Sequence, residues 1–235
     1  MTQFQLPEQV LKFARRNTTG ESAGVLAVQL TQKGRMRLGP EKPWAPFQAT
    51  QVISAKAVEF EWTARVKLAP FLWVKVLDAY QSQRGKLGVK LWGVIPVASA
   101  QGPSIDQGEI QRYLAELPWC PNAFFENSTL NFKELEEDTV RVWFANEQTY
   151  VDLIFDAHGD IMCSRSETRV REGVGRQPWV GVFEEYLEIA GMRLPLRATV
   201  RWDTPDGPFE YWQGEIVSIK VFRVSGEDQQ EVHKG

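Results

Sequence analysis

The stretch GVIPVASAQGPSIDQGEIQRYLAELPWCP, residues 93–121, is the one place where a strand-rich sequence gives way to a strong helix. Ser104 stands at a capping position with Gln107 three residues on, the capping-box spacing. Ile110, Tyr113, Leu114 and Leu117 then repeat at i, i+3, i+4, i+7 along one face. Pro118 cannot continue the pattern, so the spacing predicts a helix over residues 104–117. Trp119, Phe124 and Phe125 follow in a segment too apolar for an exposed loop and are expected to fold back onto the rest.

On both sides of this helix the period is two. Val58, Phe60, Trp62, Ala64, Val66 and Leu68 alternate with Glu59, Glu61, Thr63, Arg65 and Lys67, a long strand with one wet face. Met192, Leu194, Leu196, Ala198, Val200 and Trp202 do the same opposite Arg193, Arg197, Thr199 and Arg201. Further strands are expected over 25–38, as a hairpin breaking at Lys33-Gly34, and over 71–80 and 86–97, joined around Arg84-Gly85. Later strands fall at 139–145, 149–155, 160–169, 178–189 and 209–224, with one helical turn in FKELEEDT before them. Pro7, Glu8, Val10, Phe13, Ala14 and Arg15 give a short amphipathic helix near the start. The three prolines of residues 39–47 predict an ordered crossing loop anchored by Trp44.

The fold class that follows is mainly β (α+β): a large curved antiparallel sheet or half-open barrel wrapping the mid-chain helix, plus the short N-terminal helix. Residues 1–224 read as a single β-rich domain, since no repeat or linker marks a boundary, and residues 225–235 as a disordered polar tail.

The totals exclude several classes. With 43% hydrophobic and 24% charged residues, the 235-residue chain has the composition of an ordinary globular protein. A net charge of -3 offers no basic excess for nucleic acid. No apolar run reaches membrane-spanning length, and the first residues lack the pattern of a secretory signal, so a cytoplasmic location is expected. Cys120 and Cys163, without CxxC spacing, read as free thiols. Nine tryptophans and thirteen phenylalanines demand a wide core or a lined cavity.

The stretches QLTQKGRMRLGPEKPWAPFQATQ, LWGVIPVASAQGPSIDQGEIQRYLAELPW, RQPWVGVFEEYLEIAGMRLPLRATVRW and PDGPFEYWQGEI together resemble a family of bacterial proteins known as a domain of unknown function. That resemblance implies no activity and no site residue. The ordering of N-terminal helix, long strands, mid-chain helix and more strands also resembles the half-open barrel of the LolA/LolB lipoprotein carriers. The role this implies is to hold acyl chains between a curved sheet and helical lids. The chain departs from those carriers in lacking an export signal or lipobox.

Candidate chemistry is sparse. Asp156-Ala157-His158-Gly159-Asp160 has metal-ligand residue types, but turn chemistry explains the same letters. His233 lies in the polar tail. No G-x-S-x-G elbow, P-loop or dinucleotide fingerprint occurs. Asp78 is out of pattern, on the side of Leu72, Val74 and Val76, and Glu215 shares a face with Tyr211, Val217 and Ile219. Both are therefore predicted on apolar faces, where burial raises a carboxylate's pKa and suits it to acid–base work. Pairing of each with an arginine is the structural alternative. Arg193, Arg197 and Arg201 form a basic row that cross-strand Glu184, Glu188 or Glu210 would neutralise. The reading drawn from this is a protein that binds a lipid or other apolar or amphipathic small molecule. Phe60, Trp62, Trp73, Asp78, Trp92, Tyr113, Trp119 and Glu215 would line the site. No catalytic residue, metal or cofactor is assigned. The alternatives are an enzyme using the buried carboxylates in the same cavity and a packed interaction module without one.

Overall fold

The computed structural model describes residues 6–18, 24–171, 173–224 and 231–233. Helix α1 (Glu8–Asn17) precedes six strands in succession: β1 (Val25–Met36), β2 (Ala45–Ser54), β3 (Phe60–Ala69), β4 (Leu72–Gln81), β5 (Arg84–Leu91) and β6 (Ile95–Ala100). Helix α2 (Pro103–Ala115), a 3-10 turn (Leu117–Trp119) and α3 (Ala123–Glu126) follow. Next come β7 (Leu130–Glu136), β8 (Thr139–Phe144), β9 (Tyr150–Phe155), β10 (Ile161–Ser166), β11 (Val170–Arg171) and β12 (Gly175–Arg176). The series ends with β13 (Trp179–Ile189), β14 (Met192–Thr204), β15 (Gly207–Arg223) and β16 (Glu231–His233).

All but β11 and β12 belong to one sheet of fourteen strands, antiparallel at every pairing, in the order β6-β5-β4-β3-β2-β1-β15-β14-β13-β10-β9-β8-β7, with β16 added beside β15. The chain thus meanders outward from β1 to one edge, crosses to the opposite edge, and meanders back until β15 zips onto β1. Helix α2 makes that crossing. It touches β4 and β5 near one edge and β8, β9 and β10 near the other. In a flat sheet, the seven steps from β4 to β10 would span about 34 Å at roughly 4.8 Å each. A thirteen-residue helix is only about 20 Å long. The sheet must therefore curl around α2, and it does so without closing, since β6 and β7 remain its two ends.

The core lies between the inner face and the helices. Phe60, Trp62, Ala64 and Val66 of β3 and Leu194, Leu196 and Ala198 of β14 are buried as their alternation predicts. Tyr113, Leu114 and Ala115 of α2 are fully covered. On α1, Phe13 sits edge-on to Phe124, Phe155 and Tyr186.

Several local expectations are corrected. Helix α2 begins at Pro103 with Gly102, not Ser104, at its N-cap, and no side chain caps it. Residues 33–34 are not a turn: β1 runs through them, because Gly34 lies against Gly214 of β15, where a Cβ would come within 2.0 Å of the Gln213 carbonyl. Loop 37–44 joins neighbouring strands, with Trp44 held between Arg35 and Arg37 at 4.9 and 4.8 Å. The β4–β5 turn falls at Ser82-Gln83, both left-handed, and residues 86–97 break into two strands at Trp92-Gly93. FKELEEDT forms no helical turn: its first five residues lie in strand β7, Glu137-Asp138 turns, and Thr139 opens β8, cross-strand partners overriding helical propensity. Of the tail, residues 231–233 pair with β15, and the rest of 225–235 lies outside the described residues.

Candidate functional site

Between α2 and the inner face lies a cavity of about 160 Å³. Its walls are aromatic: Trp62, Trp119, Trp179, Phe183, Tyr211 and Trp212. Trp119 is positioned by the 3-10 turn, its indole N–H donating to the Pro195 carbonyl at 3.0 Å, and it meets Phe183 edge-on at 5.5 Å. Trp179 donates to the Tyr211 hydroxyl at 2.8 Å.

One wall is polar. Asp78, Arg112 and Glu116 line the cavity, each side chain only 13–14% exposed. Arg112 donates from Nη1 to Asp78 and from Nε to Glu116 at 2.9 Å, and its guanidinium lies over the rings of Phe60 and Trp62 at 5.0 and 5.1 Å. The network runs on into the sheet. Glu116 accepts from the Gln51 amide, Gln51 accepts from Gln32 at 2.9 Å, and Gln32 accepts from the Trp62 indole at 2.8 Å. Burial alone pulls the Arg112 pKa down, but Glu116, Asp78 and Glu109 outweigh it and push the value up, so the guanidinium stays charged.

Glu109 completes the cluster from the same side of α2, three residues before Arg112 and 7% exposed. Burial, then the charge of Asp78, raises its pKa well above the ordinary 4.5, and a hydrogen bond with Asp78 adds to the rise. The oxygens Asp78 Oδ1 and Glu109 Oε2 are both buried and have no donor among the described residues. A proton held by Glu109 satisfies that hydrogen bond, the arrangement two neighbouring carboxyls adopt when both cannot ionise.

The structure brings Phe60, Trp62, Asp78 and Trp119 together around Arg112. Tyr113 lies behind them as a packing element, its hydroxyl donating to the Ser54 carbonyl at 2.9 Å and accepting from Asn127 at 3.1 Å. The other three expected lining residues are elsewhere. Trp73 is on the outer face beneath Arg65, at 4.3 Å. Trp92 occupies the β5–β6 turn with φ 49°, its indole donating to the Phe71 carbonyl. Glu215 is outside because Val217 is an extra residue in β15, a bulge that reverses the alternation and sets Glu215 opposite Lys33 at 3.5 Å rather than beside Ile219. Glu109, Arg112, Glu116, Gln32 and Gln51 were missed. The signal existed for Gln32 and Gln51, polar residues at inward positions after Leu30 and before Ile53.

Elsewhere, residues 156–160 form a turn in which Asp156 accepts from the backbone N–H of His158 and Asp160 at 2.8 and 2.9 Å, and no metal-binding group of three or more His, Cys, Asp or Glu occurs among the described residues. Glu188, Glu184 and Glu210 stand opposite Arg193, Arg197 and Arg201 in register as expected, while the close ion pairs of that row are made with Asp160, Glu185 and Asp203. Both cysteines are free, and burial pushes the Cys120 thiol up to about 12 and Cys163 to about 11, which leaves neither nucleophilic at neutral pH. No helix among the described residues is long and apolar enough to cross a membrane.

The model of a family of unknown function, DUF6920, matches residues 4–221. The chain belongs to that family. No curated protein matches it. Among solved structures, a LolA superfamily protein from Nitrosomonas europaea is similar at 10% identity and a TM-score of 0.47, covering 95% of this chain and 96% of that one. A DUF1329 family protein from Desulfovibrio piger is similar at 8% identity and a TM-score of 0.46, with 94% and 92% covered. Likeness at this level bears on neither ligand nor activity.

Proposed function

We propose that the protein binds a small amphipathic molecule in the cavity beneath α2. One observation carries the reading: the cavity joins a wall of six aromatic rings to a buried ionic wall of Asp78, Arg112 and Glu116. The apolar part of the ligand packs on Trp119, Trp179 and Trp212, and its polar end meets Asp78, Arg112 and Glu116. The volume of about 160 Å³ holds roughly five water molecules and is below the roughly 300–1,000 Å³ of sites that enclose drug-sized ligands. The ligand is therefore short, and a long acyl chain would enter only if α2 lifted from the sheet. Native mass spectrometry of protein purified without detergent, followed by solvent extraction, tests this. A bound species is expected in the wild type and absent from Val76→Phe, which fills the cavity from β4. Retention of the same species by Val76→Phe would place it elsewhere and overturn the proposal.

A second reading rests on the carboxyl pair. A protonated Glu109 beside an Asp78 that reaches the cavity can pass a proton to a bound molecule, which would make the site catalytic. Turnover of the extracted species that Asp78→Asn abolishes while binding persists would favour this reading over simple binding.

A further inference from the structure

We infer that the paired tips of the β3–β4 and β5–β6 hairpins are a docking surface for an anionic lipid bilayer. The two turns lie side by side at one end of the sheet: the Trp92 backbone N–H donates to the Trp73 carbonyl at 3.0 Å, and the Trp92 indole donates to the Phe71 carbonyl at 3.0 Å. Each tip carries a large aromatic residue where backbone geometry favours glycine or asparagine, Phe71 at φ 62° and Trp92 at φ 49°. Phe71 is 96% exposed, and Val94, Ile95, Trp92 and Leu68 around it are 70%, 50%, 47% and 45% exposed. Left-handed strain and full hydration of a phenyl ring are both unfavourable, and nothing in the core gains from them.

The charge beside this patch says what covers it. Of the cations between Trp62 and Pro103, Arg65, Lys67, Lys75 and Lys90 lie toward these tips, while Arg84 and Lys86 lie toward the far β4–β5 turn; the one acid in that stretch is Asp78, which points inward to Arg112. Arg65 faces Lys75 across the β3–β4 ladder, and Lys75 faces Lys90 across β4–β5, so three like charges stand in one outer row. Such opposition is unfavourable in isolation. Among the described residues none of Arg65, Lys67, Lys75 and Lys90 has a carboxylate within 4.0 Å, in a chain whose net charge is -3. The same tip, from Pro70 to Trp73, walls an outer groove of about 1,210 Å³ whose charged lining is Lys33, Arg35, Arg65, Lys67 and Arg197 against Glu184 and Glu215, a basic excess. Apolar aromatic tips above a basic belt match the acyl boundary and acidic headgroups of a bilayer surface. A second copy pairing edge to edge fits less well, because the edge strand β6 carries Pro96 and a bulge at Val97 that interrupt its free ladder.

Co-sedimentation of the whole chain with vesicles separates the cases. Binding is expected to phosphatidylcholine vesicles containing roughly one-third phosphatidylglycerol and not to phosphatidylcholine alone, and to weaken with salt. Phe71→Ser with Val94→Ser should lower partitioning about tenfold. Lys67→Glu with Lys90→Glu should lower it more than tenfold and remove the salt dependence. Because all four positions are exposed, the thermal melts of these variants should match the wild type. No binding to the anionic vesicles, or binding that neither pair of substitutions changes, overturns the inference. So does light scattering that shows the Phe71 variant dissociating a dimer, which assigns the patch to a second copy.

Discussion

Two aspartates face the interior and have opposite environments. Asp160 is held by three arginine donors: Arg16 from α1, and Arg193 of β14 through Nη1 at 2.5 Å and Nη2 at 2.7 Å. Both of its oxygens are used, and it lines neither the cavity beneath α2 nor the outer groove, stapling α1 to the sheet. Asp78 has one arginine, shares a proton with the second carboxyl of Glu109, and reaches the cavity. A carboxylate whose acceptors are all filled stabilises the fold. One held by a single arginine and a shared proton, at the wall of a cavity, marks where the protein has kept capacity for something else.

Substitutions can break that contrast. The largest effect is expected at Asp160→Ala, which strands two arginines and unpins α1; removing one partner of a buried pair costs about 3–5 kcal/mol, and about 2–3 where, as here, the arginines are partly solvated. A chemical denaturation curve measures it, and a loss below 1 kcal/mol would mean that Asp160 is no more structural than a surface ion pair. Asp78→Asn keeps the shape and an acceptor for Arg112, so about 1–2 kcal/mol is expected, together with loss of the bound species in native mass spectrometry. Unchanged ligand retention, with no loss of turnover, would erase the distinction between the two sites.

The smallest effect, and the one most dependent on pH, is Glu109→Gln. Burial beside Asp78 raises the pKa of Glu109 in the folded state, so folding takes up a proton. Stability from this group is complete below the unfolded value near 4.5 and is lost as the pH rises through the folded value. The amide mimics the protonated acid at every pH. Glu109→Gln should therefore melt close to the wild type at acid pH and above it under mildly alkaline conditions. Equal destabilisation at both would show that Glu109 is ionised in the folded protein and that the shared proton does not exist.

Much of this architecture was legible in the sequence. The period-two runs of β3 and β14 gave strands with most inner residues correctly named, the exception being Leu68, which a bulge between Lys67 and Ala69 leaves 45% exposed, and the 3.6-residue stripe of α2 gave the buried helix. Asp78 announced itself by standing among apolar neighbours. The adjoining polar side of α2 was misread by omission: Glu109, Arg112 and Glu116 recur at helical spacing too, and on an ordinary surface helix they would face water. They are covered because the sheet curls round both sides of α2, which no local pattern reports. Glu215 was lost to the bulge at Val217, and Trp92 to a turn hidden inside an apolar run.

By itself the sequence determined which residues alternate, where the chain must turn at most of its hairpins, and that one helix interrupts a β protein, because these follow from interactions between near neighbours. Only the tertiary structure decided that α2 joins the two edges of one sheet, that its charged stripe is buried against Asp78, and that two aromatic turns stand exposed over an unneutralised basic row. Those outcomes depend on which strands become neighbours and on single-residue bulges in register, and both are set by long-range pairing rather than by any window of sequence.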